Sequence, residues 1–101
     1  MVITIQQAVT AHKEGRLKEA EHLYHSILKE QPEHLDANNN LGIILQNSGK
    51  LEEAEKHYRK AIDIKSNFAE AHNNLGNTLK DLGKLDEAVT SYKKAIEIKP
   101  G

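Results

Sequence analysis

A period of 34 residues runs through this chain of 101. Gly15, Gly49 and Gly83 mark it, and three further columns keep the same spacing: Leu17, Leu51 and Leu85; Ala20, Ala54 and Ala88; Tyr24, Tyr58 and Tyr92. Looser columns follow, with Ile27 matching Ala61 and Ala95, Leu28 matching Ile62 and Ile96, and Ser66 standing between Pro32 and Pro100. A fixed period of this length implies stacked copies of one supersecondary unit, each burying its apolar face against its neighbours.

Within one period, Ala37, Asn38, Leu41, Gly42 and Leu45 fall on a stripe spaced by threes and fours, as one face of a helix requires. Gly49 closes that helix, because glycine accepts the left-handed conformation common just after a helix end. Leu51, Ala54, Tyr58, Ala61 and Ile62 then form a second stripe, so each period is a pair of helices. Six antiparallel helices are predicted, over residues 3–14, 17–31, 34–48, 51–65, 68–82 and 85–99. Asn67 is expected to cap the fifth with Glu70 as its partner. Val2, Ile3, Thr4 and Ile5 are all β-branched, so irregular packing or exchange of the first helix between chains is expected. Gly42 and Gly76 lie inside helices, where glycine costs about 1 kcal/mol relative to alanine and needs a packing reason. Close approach to Ala54 and Ala88 supplies the expected one, with Tyr58 and Tyr92 filling space toward the next repeat.

Composition narrows the function. Fourteen Lys and Arg against fifteen Asp and Glu leave a net charge of −1, which creates no field to hold nucleic acid or an anionic membrane. Cysteine is absent, so disulfide scaffolds and thiolate metal sites are excluded, and a reducing, cytoplasmic setting is expected. Met1 to Thr10 is interrupted by Gln6 and Gln7 and does not read as a signal peptide, and no run of about 20 apolar residues would span a membrane. His22 and His25 share a helix face, but two ligands do not make a metal site, and no metal or cofactor is expected. No serine elbow, phosphate-binding glycine loop or recurrent acid–base pair occurs, so the chain is not expected to be an enzyme.

The columns resemble the tetratricopeptide repeat. The third period carries the resemblance best, in Leu75, Gly76, Leu79, Gly83, Ala88, Tyr92, Ala95 and Pro100, with His72 where the family often has tryptophan. The second is nearly as close, with Asn38 in that place and Ser66 in place of proline; in the first, Gln7, Ala8 and Ala11 depart from the pattern. The resemblance covers residues 1–101 as one domain of three repeats, 1–34, 35–68 and 69–101. It implies an all-α solenoid, a right-handed superhelix whose first helices line a concave groove, in a family of scaffolds and peptide receptors. In style the chain is similar to the superhelical arrays attached to O-linked N-acetylglucosamine transferase.

Residues offset from the stacked stripe are expected to face the groove: Asp36, Asn39, Asn40, Ile43, Gln46 and Asn47 in the second repeat, and Glu70, Asn73, Asn74, Asn77, Lys80 and Asp81 in the third. A side-chain amide both donates and accepts, so stacked asparagines can pair with the backbone of an extended peptide whatever its sequence. The resemblance assigns that role to Asn40 and Asn74, one period apart, and Asn39, Asn47, Asn73, Asn77 and Lys80 are expected to contact ligand side chains. A second mode of the family, a clamp on a terminal carboxylate, calls for lysine and asparagine on the first helix and cations on the fifth. Ile5, Val9 and Glu70 stand there instead, and Ile5, Val9 and Ile43 make one end of the groove apolar.

Two other readings remain open at this level: substrate-recruiting repeats of a larger glycosyl- or sulfotransferase-type enzyme, and a purely structural self-assembling module. Leu85, Val89, Tyr92 and Ile96 share one side of the last helix, and Val89 replaces Glu21 and Glu55 of the earlier repeats. With no polar capping helix after them, they are expected to form a homo-oligomeric contact.

Overall fold

The computed structural model describes residues 2–101; Met1, which opens the expected domain, lies outside them. Six helices follow one another: α1 (Ile5–Lys13), α2 (Leu17–Glu30), α3 (Leu35–Asn47), α4 (Leu51–Ile64), α5 (Ala69–Asp81) and α6 (Leu85–Ile98). No strand occurs among the described residues. The stack is elongated, 43 × 25 × 23 Å. α1 packs on α2, α3 on α4 and α5 on α6, and the pairs join through α2 against α3 and α4 against α5. α3 also touches α5 directly. α3 and α5 therefore lie side by side in the layer of first helices, the inner layer, and the even-numbered helices form the outer one.

The turns within each pair are set by glycine. Gly15, Gly49 and Gly83 adopt φ of 78°, 81° and 82°. In each, the N–H after the glycine donates back to the carbonyl five residues earlier: Arg16 to Ala11 at 2.9 Å, Lys50 to Leu45 at 2.9 Å, Lys84 to Leu79 at 2.8 Å. These bonds satisfy carbonyls that a helix end leaves open.

α1 starts at Ile5, two residues later than its sequence suggests, because Thr4 and Gln7 form a reciprocal capping box. Its outer surface is polar through Gln6 and Gln7, and Ala8 and Ala11 pack into the core. The expected cap of α5 does not form: Phe68 occupies that position and no side chain caps it. α3 is capped instead by His34, whose Nδ1 accepts from the Ala37 N–H at 3.2 Å.

The core runs continuously through Ala11, Tyr24, Leu41, Leu45, Tyr58, Leu75 and Leu79. Gly42 and Gly76 serve it differently from the sequence expectation. A Cβ at Gly42 would lie 2.7 Å from Tyr58 Cε1, and one at Gly76 2.7 Å from Tyr92 Cε1. The glycines thus seat the tyrosine rings of their own repeats, rather than bringing alanines into backbone contact.

Between repeats 2 and 3 the outer layer is tied by charge. Glu55 accepts from Arg59 Nε at 2.9 Å and Lys84 Nζ at 3.1 Å, and Arg59 reaches Glu87 at 3.2 Å. One repeat earlier, Glu21 faces Lys50 at 3.8 Å. Burial works against the charged Glu55, yet the bonds from Arg59 and Lys84 hold its carboxyl below the usual range. Such partly exposed pairs add little each, but they fix which face of a neighbouring repeat can dock.

Stability is expected to fall in weak acid. Burial lowers the pKa of His57, with repulsion from His25 and Lys56 adding to it, and burial lowers that of His12. The folded chain therefore binds fewer protons than the unfolded chain near the ordinary histidine value of 6.5. Stability is flat above that value, declines as pH falls below it, and declines again below 4.5 as Glu55 protonates. Thermal unfolding from pH 8 to pH 4 should show this. His57→Leu, which installs the residue of the Leu23 column, should reduce the slope between pH 6.5 and 5; an unchanged slope would assign the loss elsewhere.

Candidate functional site

The crowded layer of α1, α3 and α5 presents the asparagines. Asn40 on α3 and Asn74 on α5 occupy equivalent positions and are both half-buried. Their surroundings differ. Asn74 Nδ2 donates to Asn39 Oδ1 across the α3–α5 junction at 3.4 Å, near the long limit of a hydrogen bond. At the preceding junction the residue equivalent to Asn39 is Ile5, which offers no acceptor, so Asn40 has no such partner and instead lies against the Tyr24 hydroxyl. Burial raises the pKa of that hydroxyl while the bond from Asn40 opposes the rise.

Asn39 therefore does not stand where a ligand side chain could reach it: it is 2% exposed. The chain's own Asn74 uses its amide, and its role is to join two repeats. The column Ile5, Asn39 and Asn73 held a signal for this, since an isoleucine in a recurring position points to packing rather than solvent. Asn73 is exposed, and it borders a niche shared with Glu70, Ile96 and Lys99. It lies beside the C-terminal part of α6 as much as in the inner layer.

Asn47 and Lys80 are exposed at the C-terminal ends of α3 and α5. Lys80 has no ion-pair partner among the described residues. Asn77 is half-buried, and its Oδ1 accepts the Tyr92 hydroxyl, which leaves its NH2 group for an outside acceptor. Gln46 plays the matching part for Tyr58, accepting its hydroxyl at 2.7 Å, and His12 Nδ1 lies 3.4 Å from the Tyr24 hydroxyl. Burial, with Glu70 nearby, pushes the Tyr58 hydroxyl well above the ordinary tyrosine range. These tyrosine partners were not legible as such, because His12 and Gln46 share a column with Lys80, which bonds no tyrosine, while Asn77 comes from the column of Val9 and Ile43. Ile5, Val9 and Ile43 are half-buried along the layer, and Ile5 and Ile43 pack on the core.

On the outer layer, His57 donates from Nδ1 to Asn38 Oδ1 at 3.1 Å, the tautomer following from the Asn38 NH2 group being spent on the Pro32 and His34 carbonyls. His25 meets His57 edge to face, with ring centroids 6.3 Å apart. His22 does not join them, and no group of three or more metal-ligating side chains occurs among the described residues. No described helix is long and apolar enough to cross a membrane. At the far end, Leu85, Val89 and Ile96 are 60%, 50% and 61% exposed on α6, while Tyr92 is half-buried against Gly76.

A tetratricopeptide-repeat family model matches residues 33–100. No curated protein matches the sequence. Among solved structures, the first tetratricopeptide domain of Spaghetti (RPAP3), bound to the HSP90 peptide SRMEEVD, superposes with a TM-score of 0.90 at 22% identity, over 95% of this chain and 76% of that one. MamA superposes with a TM-score of 0.85 at 26% identity, over 92% of this chain and 54% of that one, so this chain spans about half of the MamA chain. A mutant form of MamA gives 0.89 at 23%, over 96% and 71%.

Proposed function

Because the chain belongs to the tetratricopeptide-repeat family, we propose that it is a protein-interaction scaffold whose inner layer of α1, α3 and α5 takes an extended peptide segment. The observation that carries this reading is Asn40. It is a mediocre helix former kept inside a helix, half-buried on the crowded layer, and the neighbouring repeat's Ile5 gives it no amide partner. Asn74 adds its carbonyl oxygen one period on, and Asn77 and Lys80 extend the polar track along α5. Amides so placed pair with a peptide backbone and read no sequence.

The relative solved with an HSP90 peptide supports a peptide as the class of ligand. Its peptide, SRMEEVD, is acidic at the C-terminal end. Here Ile5, Val9 and Glu70 supply no cation for such an end, so the preferred ligand is an extended segment of mixed charge with apolar side chains toward α1. The inner layer carries Asp36, Glu70 and Asp81 against Lys13 and Lys80, so salt weakens binding only moderately. With so few repeats the affinity is on the order of micromolar or weaker.

The test is fluorescence anisotropy with a panel of short unstructured peptides that differ in side chains. Asn40→Ala should weaken every binder by a similar factor, because the lost contact is to backbone; the expected cost is about 0.5–1.5 kcal/mol, and Asn40→Ala with Asn74→Ala about twice that. Asn74→Ala also removes the donor to Asn39, so circular dichroism of the double variant must match the parent. Equal affinity in folded Asn40→Ala protein would sink the ladder.

A further inference from the structure

We propose that α6 carries a two-fold interface through which two copies of this chain pair, helix against antiparallel helix. The repeat itself shows that this end is specialised. At each internal junction a glutamate, Glu21 or Glu55, faces the turn lysine of the following repeat, Lys50 or Lys84. Val89 occupies that position on α6. It removes the acceptor for a turn lysine and joins Leu85 and Ile96 in an exposed apolar row, with the edge of Tyr92 between them. A further repeat of the same type would bring an ammonium group against valine. The face suits a partner without one.

The spacing of the row identifies that partner. Leu85, Val89, Tyr92 and Ile96 advance by four, three and four residues, the alternation of a two-helix seam. The row is its own complement when reversed: a dyad between Val89 and Tyr92 sets Val89 on the partner's Tyr92 and Leu85 on the partner's Ile96. Charge agrees with that register. Asp86 and Lys93 flank the seam on the same side, seven residues apart, and neither has an ion-pair partner among the described residues, although Glu87 and Lys84 on the other side of α6 do. The antiparallel pairing brings each Asp86 beside the partner's Lys93, twice over by symmetry. The other end of the stack is a poorer mate, because α1 shows Gln6 and Gln7 outward and buries its alanines. Head-to-tail stacking would also propagate without closing.

Sedimentation equilibrium over a concentration series tests the pairing. The parent should give a monomer–dimer equilibrium with no larger species. Val89→Glu restores the glutamate of the other two repeats, so it folds, and it should raise the dimer dissociation constant at least tenfold. Asp86→Lys and Lys93→Asp should each weaken the dimer several-fold, and the two together should recover most of the parent affinity, because the pairs are then inverted rather than lost. A monomeric parent at every concentration, open-ended assemblies, or a charge-swapped variant as weak as the single ones would overturn the proposal.

Discussion

Gly42→Ala is expected to destabilise the protein by about 1–3 kcal/mol, although alanine is the better helix former by about 1 kcal/mol. The added methyl would sit 2.7 Å from Tyr58 Cε1 and 2.9 Å from Cδ1. The ring has nowhere to go: Tyr58 is fully buried and its hydroxyl is anchored on Gln46. In a domain of this size each 1 kcal/mol lowers Tm by roughly 4–8 °C, so the loss is plain in a melting curve. Gly76→Ala meets the same geometry at Tyr92, but that ring is half-exposed and can swing outward, so the cost should be smaller. A double-mutant cycle isolates the cause. In a Tyr58→Ala background the same Gly42→Ala change should turn stabilising, because the clash is gone and the helix preference remains. A loss of equal size in both backgrounds would mean that the glycine serves something other than the ring.

Tyr58→Ala should have the largest single effect, a loss of about 3–5 kcal/mol. The side chain is fully buried with its ring against Gly42, and it belongs with Leu41, Leu45 and Ala54 to the core cluster that continues into repeats 1 and 3. Truncation leaves a cavity bounded by helix backbone, which cannot collapse to fill it. Tyr58→Phe should cost only about 0.5–1.5 kcal/mol, the net worth of the bond to Gln46. Urea unfolding separates the two variants; similar midpoints would show that the ring contributes little beyond its hydroxyl.

The helices and their order were legible because glycine, tyrosine and alanine recur with one period, and each has a single conformational or packing use in this fold. Their exact neighbours were harder. That Gly42 seats Tyr58 rather than Ala54 depends on the angle between α3 and α4, which the spacing along either helix does not encode. The cap of α3 by His34 and the missing cap of α5 turn on side-chain reach at a single turn. Among the candidate site residues, Asn40, Asn47, Asn77 and Lys80 lie on the inner layer, whereas Asn39 is sealed at the α3–α5 junction and Asn73 lies beside the C-terminal part of α6. Polarity alone pointed all of them outward. An asparagine satisfied by another asparagine looks the same in sequence as one facing water, and only the isoleucine at position 5 of the same column betrayed the packed role.

Amide chemical-shift mapping of the isotopically labelled protein, titrated with a binding peptide, tests whether the inner layer is the ligand surface. Shifts should concentrate on α3 and α5, with the side-chain amides of Asn40, Asn74 and Asn77 among the largest, and little change along the outward faces of α2 and α4. Shifts confined to α2, α4 and α6, with those three side-chain amides unmoved, would contradict it.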